Sequence, residues 1–411
     1  MRKAVLIVFL AGLAAFGNVL YVGDDNARHR KDEFRNGYYN DLQTAINKAA
    51  NNDTIIIAPG VYYSKSYAFP ESLCGNCDNH ITEVRATRGF LIQDKSLVII
   101  GSGIDSTTLI TNAGYGVLFL DSPGSLITRL KITGGKRDLD GTATDAGIVA
   151  RNSRVTIASC LIADNIDRPD SLIIGIGGII GREGAELTIT GNEIFNNGWD
   201  GIALYRGATA IITDNTINGG RGVGIGITWD ATAQIYRNTV TNYWKGVGAF
   251  GSTRVIAANN LVKDNLGWGI IVTGKAYLDA TNNLVIRNGN CGLAMWSEES
   301  SGRFANNIVI DNGWREEWIC PPVGFWNYGY RSKFIISHNN IFQNKDGEYR
   351  DMPDYTGKSG NISVDPLFVG EDDYHLQPQS PCINSGDSLI TDNDGSVSDI
   401  GLYGGPRAKI R

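Results

Sequence analysis

The stretch "GNEIFNNGWDGIALYRGATAIITDNTI", residues 191–217, holds one unit of a pattern that runs through most of the chain. An asparagine precedes an apolar pair at Asn192 and again at Asn215, and a glycine, Gly201, opens an apolar run 14 residues before the second asparagine. The asparagine returns at Asn238, Asn260, Asn283, Asn307 and Asn340, with successive spacings of 23, 23, 22, 23, 24 and 33. The glycine keeps its offset at Gly178, Gly224, Gly246 and Gly269, and continues at Gly292 and Gly324. Two ladders in register at so steady a period are the signature of a solenoid.

Each unit reads as three strands: one after the glycine ("GIALYR"), one before the asparagine ("ATAIIT") and a short one after it ("TIN"). At ~3.3 Å per strand residue, such a unit closes one flattened three-sided coil. Its strands must bond in parallel to the coils above and below, leaving open edges only at the two ends. The expected fold is therefore all-β, a parallel β-helix with rungs of about 23 residues.

Residues 41–62, "DLQTAINKAANNDTIIIAPGVY", add a capping helix: Asp41 is an N-cap, and Leu42, Ala45, Ile46 and Ala49 have helical spacing. The C-terminal part carries "DPLFVGEDDYHLQPQSPCINSGD" (365–387) and "DNDGSVSDIGLYGG" (392–405). With these segments and the asparagine column, the chain resembles the right-handed parallel β-helix proteins of the pectin-lyase-like superfamily. The resemblance implies the fold and its handedness. That superfamily holds lyases, hydrolases, epimerases, esterases and non-enzymatic adhesins or tailspikes, so activity has to be read from the site.

Residues 1–17 read as a signal peptide, with Arg2 and Lys3 ahead of an apolar run and small residues at Ala15 and Gly17. The β-helix is expected over 18–345, with a loop insertion at 63–88 that breaks the period and a C-terminal capping segment at 346–411. A net charge of -6 and the lack of a basic run argue against a nucleic-acid partner. No segment beyond the leader is apolar enough to span a membrane, so the expectation is a secreted or periplasmic monomer.

Export permits disulfides. Cys74 and Cys77 are spaced for a local disulfide or, less commonly, a metal; Cys291 and Cys320 are placed to bridge an inserted loop; Cys160 and Cys382 read as buried. The acids Asp392, Asp394 and Asp399 offer hard oxygens to Ca²⁺ but lack the twelve-residue loop pattern, so solvated turn acids are the commoner outcome.

Numbering each rung from its glycine as zero turns the strands into columns. Positions one and three are apolar and face the core, as in Ile202 and Leu204. Position four then faces out and reads Arg151, Arg182, Tyr205, Thr228, Phe250, Thr273, Trp296, Tyr328. Position five gives Glu183, Arg206 and Trp229; the border before the glycine gives Trp199, Asp200, Tyr243, Trp244, Lys245 and Trp268. Flat aromatic faces beside charged groups suit sugar rings with acid substituents, which points to an acidic polysaccharide.

Two chemistries fit this row. A lyase needs a cation to neutralise a uronate carboxylate and a base to remove the neighbouring proton. Arg182 and Arg206 suit the first role; Lys245, Tyr205 or Tyr243 suit the second. A glycoside hydrolase needs two carboxylates, and Glu183 and Asp230 stand two rungs apart, near ~10 Å. The bland alternatives are a non-catalytic carbohydrate-binding protein, and an Arg206 merely paired with Glu183 and stacked on Trp229.

Overall fold

The computed structural model describes residues 17–23, 37–168, 171–316, 319–328 and 333–409. The expected signal peptide, apart from Gly17, lies outside the described residues. Three parallel sheets wind around one apolar interior. The first sheet, built from the strands that follow the glycines, has 12 strands; the second, before the asparagines, has 13; the third has 11. One rung consists of Ile202–Leu204, Thr209–Thr213 and Thr216–Asn218. Each strand pairs with its counterpart one rung on, as Ile202 with Ile225, Ile212 with Ile235 and Ile217 with Val240.

The inward side chains of that rung, Ile202, Leu204, Ala210, Ile212 and Ile217, are buried. Burying one such aliphatic side chain stabilises the fold by roughly 1.5–3 kcal/mol, and the stack repeats it in every coil. The N-terminal end of this interior is closed by the helix Leu42–Lys48, whose buried face is Leu42, Ala45 and Ile46. Asp41 caps it, its carboxylate accepting the Thr44 N–H at 2.6 Å.

The asparagine column is structural. Asn215 donates from Nδ2 to Asn238 Oδ1 (2.9 Å) and to Ile189 O (2.9 Å), and its own N–H donates to Asn238 Oδ1 (3.1 Å). Every amide in the column thus satisfies turn backbone and the next amide together, which answers the cost of burying turn polar groups. After Asn307 the ladder passes to Asn339 and then Asn361, not to Asn340 as the spacing suggests. Asn340 instead opens the next third-sheet strand, opposite Ile308. A second ladder, Asn265–Asn288–Asn312–Asn344, runs along the turn into the first sheet.

Residues 63–88 leave the coil. Tyr67–Glu71 pairs antiparallel with the start of Val84–Gln93 at the edge of the first sheet, and the connection between them folds over the sheet's outer face. Asp138 and Asp140, from the loop at 134–147, hold this excursion by accepting the N–H groups of Thr87 (2.7 Å) and Arg85 (2.8 Å).

Candidate active face

The glycine at position zero fixes which side chains of the first sheet face outward. A Cβ on Gly201 would sit 2.5 Å from Gly224 O and 2.6 Å from Ile217 Cγ2; Gly246 and Gly269 meet the same two kinds of atom in the next coil. The backbone is therefore drawn against the interior at that point, and the columns before it and at positions two and four look out. In successive rungs these read Asp200–Ala203–Tyr205, Val223–Gly226–Thr228, Lys245–Gly248–Phe250 and Trp268–Ile271–Thr273.

Position five is a turn. Asn152, Glu183, Arg206 and Trp229 all have positive φ, between 44° and 62°. A left-handed non-glycine residue costs ~1–2 kcal/mol, and the fold supplies that at each rung.

The N-terminal half of the outer face is covered. Arg182 lies fully buried under the excursion. It donates to Glu71 Oε2 (2.7 Å), Thr144 Oγ1 (2.7 Å), Leu73 O (2.7 Å) and, through Nε, Glu183. Burial works against its charge, but Tyr115, Glu71 and Glu183 outweigh that and hold its pKa above the usual arginine value. Glu183 is engaged a second time by His80 at 3.0 Å.

Arg206 stacks on Trp229, its Cζ 3.9 Å from the ring centroid, and donates to Cys77 O. The stacking matches the bland reading, but the expected partner Glu183 is taken by Arg182. Cys74 and Cys77 form the local disulfide of that loop. Asp230 is exposed at the turn and accepts the Gly207 N–H at 2.8 Å. Arg182, Arg206 and Glu183 thus hold the excursion, Glu183 spending its carboxylate on Arg182 and His80 while Asp230 spends an oxygen on a turn N–H.

Next to this cover the face is less deeply enclosed, with Val223, Trp244, Lys245 and Phe250 half-buried. Asp200 is buried beneath the turn at Gly222, accepts the Val223 N–H at 2.7 Å and bonds the Tyr205 hydroxyl across its own rung. Burial pushes its pKa up to about 6, against the Val223 bond, the charge of Lys245 and the Tyr205 bond. Lys245 stands two rungs on, half-buried, with Nζ 5.2 Å from the Trp268 ring centroid. Burial lowers its pKa and the Asp200 charge opposes the shift. Burial also raises the Tyr205 hydroxyl. Carboxyl and amine are both displaced toward neutrality in one recess, as at sites that move protons.

Tyr243 is not on this face. It occupies a position of the second asparagine ladder, its N–H donating to Asn265 Oδ1 at 3.1 Å, while its ring fills the interior beside Gly220.

Raising Asp200 has a stability consequence. Between the ordinary 3.8 and about 6 the folded chain holds a proton that the unfolded chain has lost, so stability falls as pH rises through that window. Asp200→Asn keeps the Val223 bond and cannot ionise. Its thermal midpoint is expected to match the parent near pH 4 and exceed it at pH 7, by the equivalent of up to about 3 kcal/mol. Equal midpoints at both pH values would show that the carboxyl is not strained.

The C-terminal half carries the aromatics. Trp268 contacts Trp244 (centroids 5.9 Å) and Trp296 (5.9 Å); Trp296 in turn meets Trp326 (5.3 Å) and Tyr328 (5.9 Å). Phe250 packs at the margin of this cluster with its ring over Gly248. Arg315, which sequence reasoning missed, stacks on Trp244 at 4.8 Å. Trp199 is half-buried at the border beside Asp200. Cys291 and Cys320, expected to bridge an inserted loop, lie under the cluster with their sulfurs 2.6 Å apart.

The family model described as a right-handed β-helix region matches residues 73–240 and 177–341, together more than half of the chain. The chain belongs to that right-handed β-helix family. No curated protein matches it in sequence. Among solved structures, the pectate lyase Pel9A superposes with a TM-score of 0.55 at 13% identity, over 95% of this chain and 96% of that one. The enzymatically active domain of tailspike protein 2 from bacteriophage CBA120 gives 0.50 at 14% identity, over 78% and 51%. The A-module of the mannuronan C-5 epimerase AlgE6 from Azotobacter vinelandii gives 0.50 at 14%, over 79% and 96%. At these identities the likeness is one of fold.

Elsewhere on this β-helix, Asp392, Asp394 and Asp399 spend carboxylate oxygens on turn N–H groups, those of Gly405 and Asp399, of Ser396, and of Asn384. Among the described residues no three acidic, histidine or cysteine side chains converge as metal ligands. An open groove over the second sheet, between Arg154 and Arg254, is lined by ordinary rung positions such as Thr209, Ile211 and Gln234. It has no counterpart of the Asp200–Lys245 pair. No helix of the described residues is long and apolar enough to cross a membrane.

Proposed function

We propose that this chain is an exported polysaccharide-active protein that binds an acidic polysaccharide over the open middle of its first sheet and cleaves it by β-elimination, with Lys245 as base. The observation that carries the reading is the half-buried Lys245 amine, its pKa lowered, facing the recess that Asp200 and Tyr205 close. Neutral Lys245 takes the proton from the ring carbon next to a uronate carboxylate. The electron pair left behind forms the ring double bond, and the glycosidic C–O bond breaks, its oxygen leaving to be protonated. Ionised Asp200 stabilises the ammonium so formed. With Arg182 sealed and Arg206 held on Trp229 and Cys77 O, the exposed Arg315 beside Trp244 is the cation that suits the substrate carboxylate.

The half-buried Trp296 and exposed Tyr328, backed by the buried Trp268 and Trp326, favour a second reading, a carbohydrate-binding protein without turnover. Incubation with pectate, alginate and glycosaminoglycans separates the two. The lyase reading expects unsaturated, ultraviolet-absorbing ends from at least one polymer, and falls if all remain uncleaved. Retention by a polymer without cleavage is the result expected of the second.

A further inference from the structure

The outward residues at position two of the first sheet shrink and then grow along the helix: Ile180, Ala203, Gly226, Gly248, Ile271. Gly248 is explained by its neighbour, because a Cβ there would overlap the Phe250 ring. The position-zero glycines are explained by the next coil, as above. Gly226 has neither reason. Gly226 is buried, yet the nearest atoms a Cβ on it would meet are those of the Val223 side chain, at 3.5–3.8 Å, which is ordinary contact, and its backbone is outside the left-handed region. A glycine inside a strand costs roughly 0.5–1 kcal/mol relative to alanine, and where packing does not require it, it marks a close approach by something else.

The surroundings of Gly226 say what approaches. One rung below, the Tyr205 side chain crosses the face to reach Asp200; one rung above, the Phe250 ring lies over Gly248. The two rows are ~9.6 Å apart, leaving a notch one rung wide between two aromatic walls. Lys245 stands at its rim, one strand from Val223, and its ammonium makes no hydrogen bond or ion pair among the described residues. The anion that acts on this half-buried ammonium is Asp200, two rungs away, so an acidic group entering the notch would add a nearer one.

Resting on the function proposed above, we infer that Gly226 is the floor of a sugar-ring subsite: one hexuronate ring of the polymer seats on the glycine between Tyr205 and Phe250, its reacting edge toward Lys245. Glycine is there because any side chain would occupy the place of the ring.

Gly226→Ala and Gly226→Val test this by electrophoresis through gels containing pectate or alginate, with dextran as the neutral control, alongside thermal midpoints. The expected result is graded loss of retardation, at least about tenfold in apparent Kd for valine, with midpoints equal to or above the parent. Unchanged retardation of Gly226→Val, with the parent retarded, overturns this inference alone. A lowered midpoint for Gly226→Ala would make the glycine structural and overturn it as well. If neither acidic polymer retards the parent chain, the function reading fails and takes this subsite with it.

Discussion

Arg182→Ala is expected to unfasten residues 63–88 rather than to remove a chemical step. The guanidinium side chain is 1% exposed and the carboxylate of Glu71 is wholly buried, with Glu183 at 9%. Removing the cation leaves Glu71 to Arg151 and Tyr115, and Glu183 to His80, without the buried guanidinium that joins them, and breaking a buried pair from one side costs about 3–5 kcal/mol. In a solenoid each coil is held mainly by its neighbours, so the loss falls locally on the excursion and not on the whole stack. Hydrogen exchange should show protection in the peptide spanning Leu73 to Cys77 falling by about 100-fold or more, with early proteolytic nicking there and little change in the third-sheet strands. Replacing Arg182, Glu71 and Glu183 together by Met, Gln and Gln should recover much of the loss, because no buried charge is then left alone. Activity lost while protection stays intact would instead give Arg182 a direct part in the reaction.

That arginine also shows what the sequence could and could not disclose. The coil itself was legible because its constraints recur in every rung: the interior leaves no room for a Cβ at position zero, and the turn before the third strand needs an amide that can serve two partners. Steric and hydrogen-bonding rules repeated at a fixed period become letters repeated at that period. Asn340 was misread for the same reason, since "NN" offers two asparagines and only the strand pairing decides that Asn339 carries the ladder.

The site was legible only in part. Tyr205, Lys245 and the tryptophans follow from column arithmetic. The sealing of Arg182 and Arg206 does not, because their partners Glu71 and Cys77 lie 111 and 129 residues away, in a segment with no period to align it. As a neighbour of Trp244, Tyr243 reads as a surface residue, whereas it replaces an asparagine of the inner ladder and packs into the room left by Gly220. Such a substitution is visible only when the second ladder is known. Gly226 does not stand out in the sequence, because a glycine with a functional reason and one with a steric reason are written with the same letter.

Lys245→Ala is expected to lower turnover by about 10²–10⁴-fold, the range a positioned general base supplies, while leaving the thermal midpoint near that of the parent. The pH dependence then tells a base from a binding cation. A base works in its neutral form, so the rate should climb with pH through the lowered amine pKa and level off above it; a cation that only holds a carboxylate would lose function over the same range. Asp200 supplies an internal control. Its ionised carboxylate opposes the lowering of the amine, so Asp200→Asn should move the rising limb toward lower pH. Lys245→Arg should not restore the rate, because a guanidinium keeps its proton throughout the accessible range. A rate that falls on alkalinisation in the parent and survives in Lys245→Arg would assign Lys245 to substrate binding and move the search for the base to another residue of the recess.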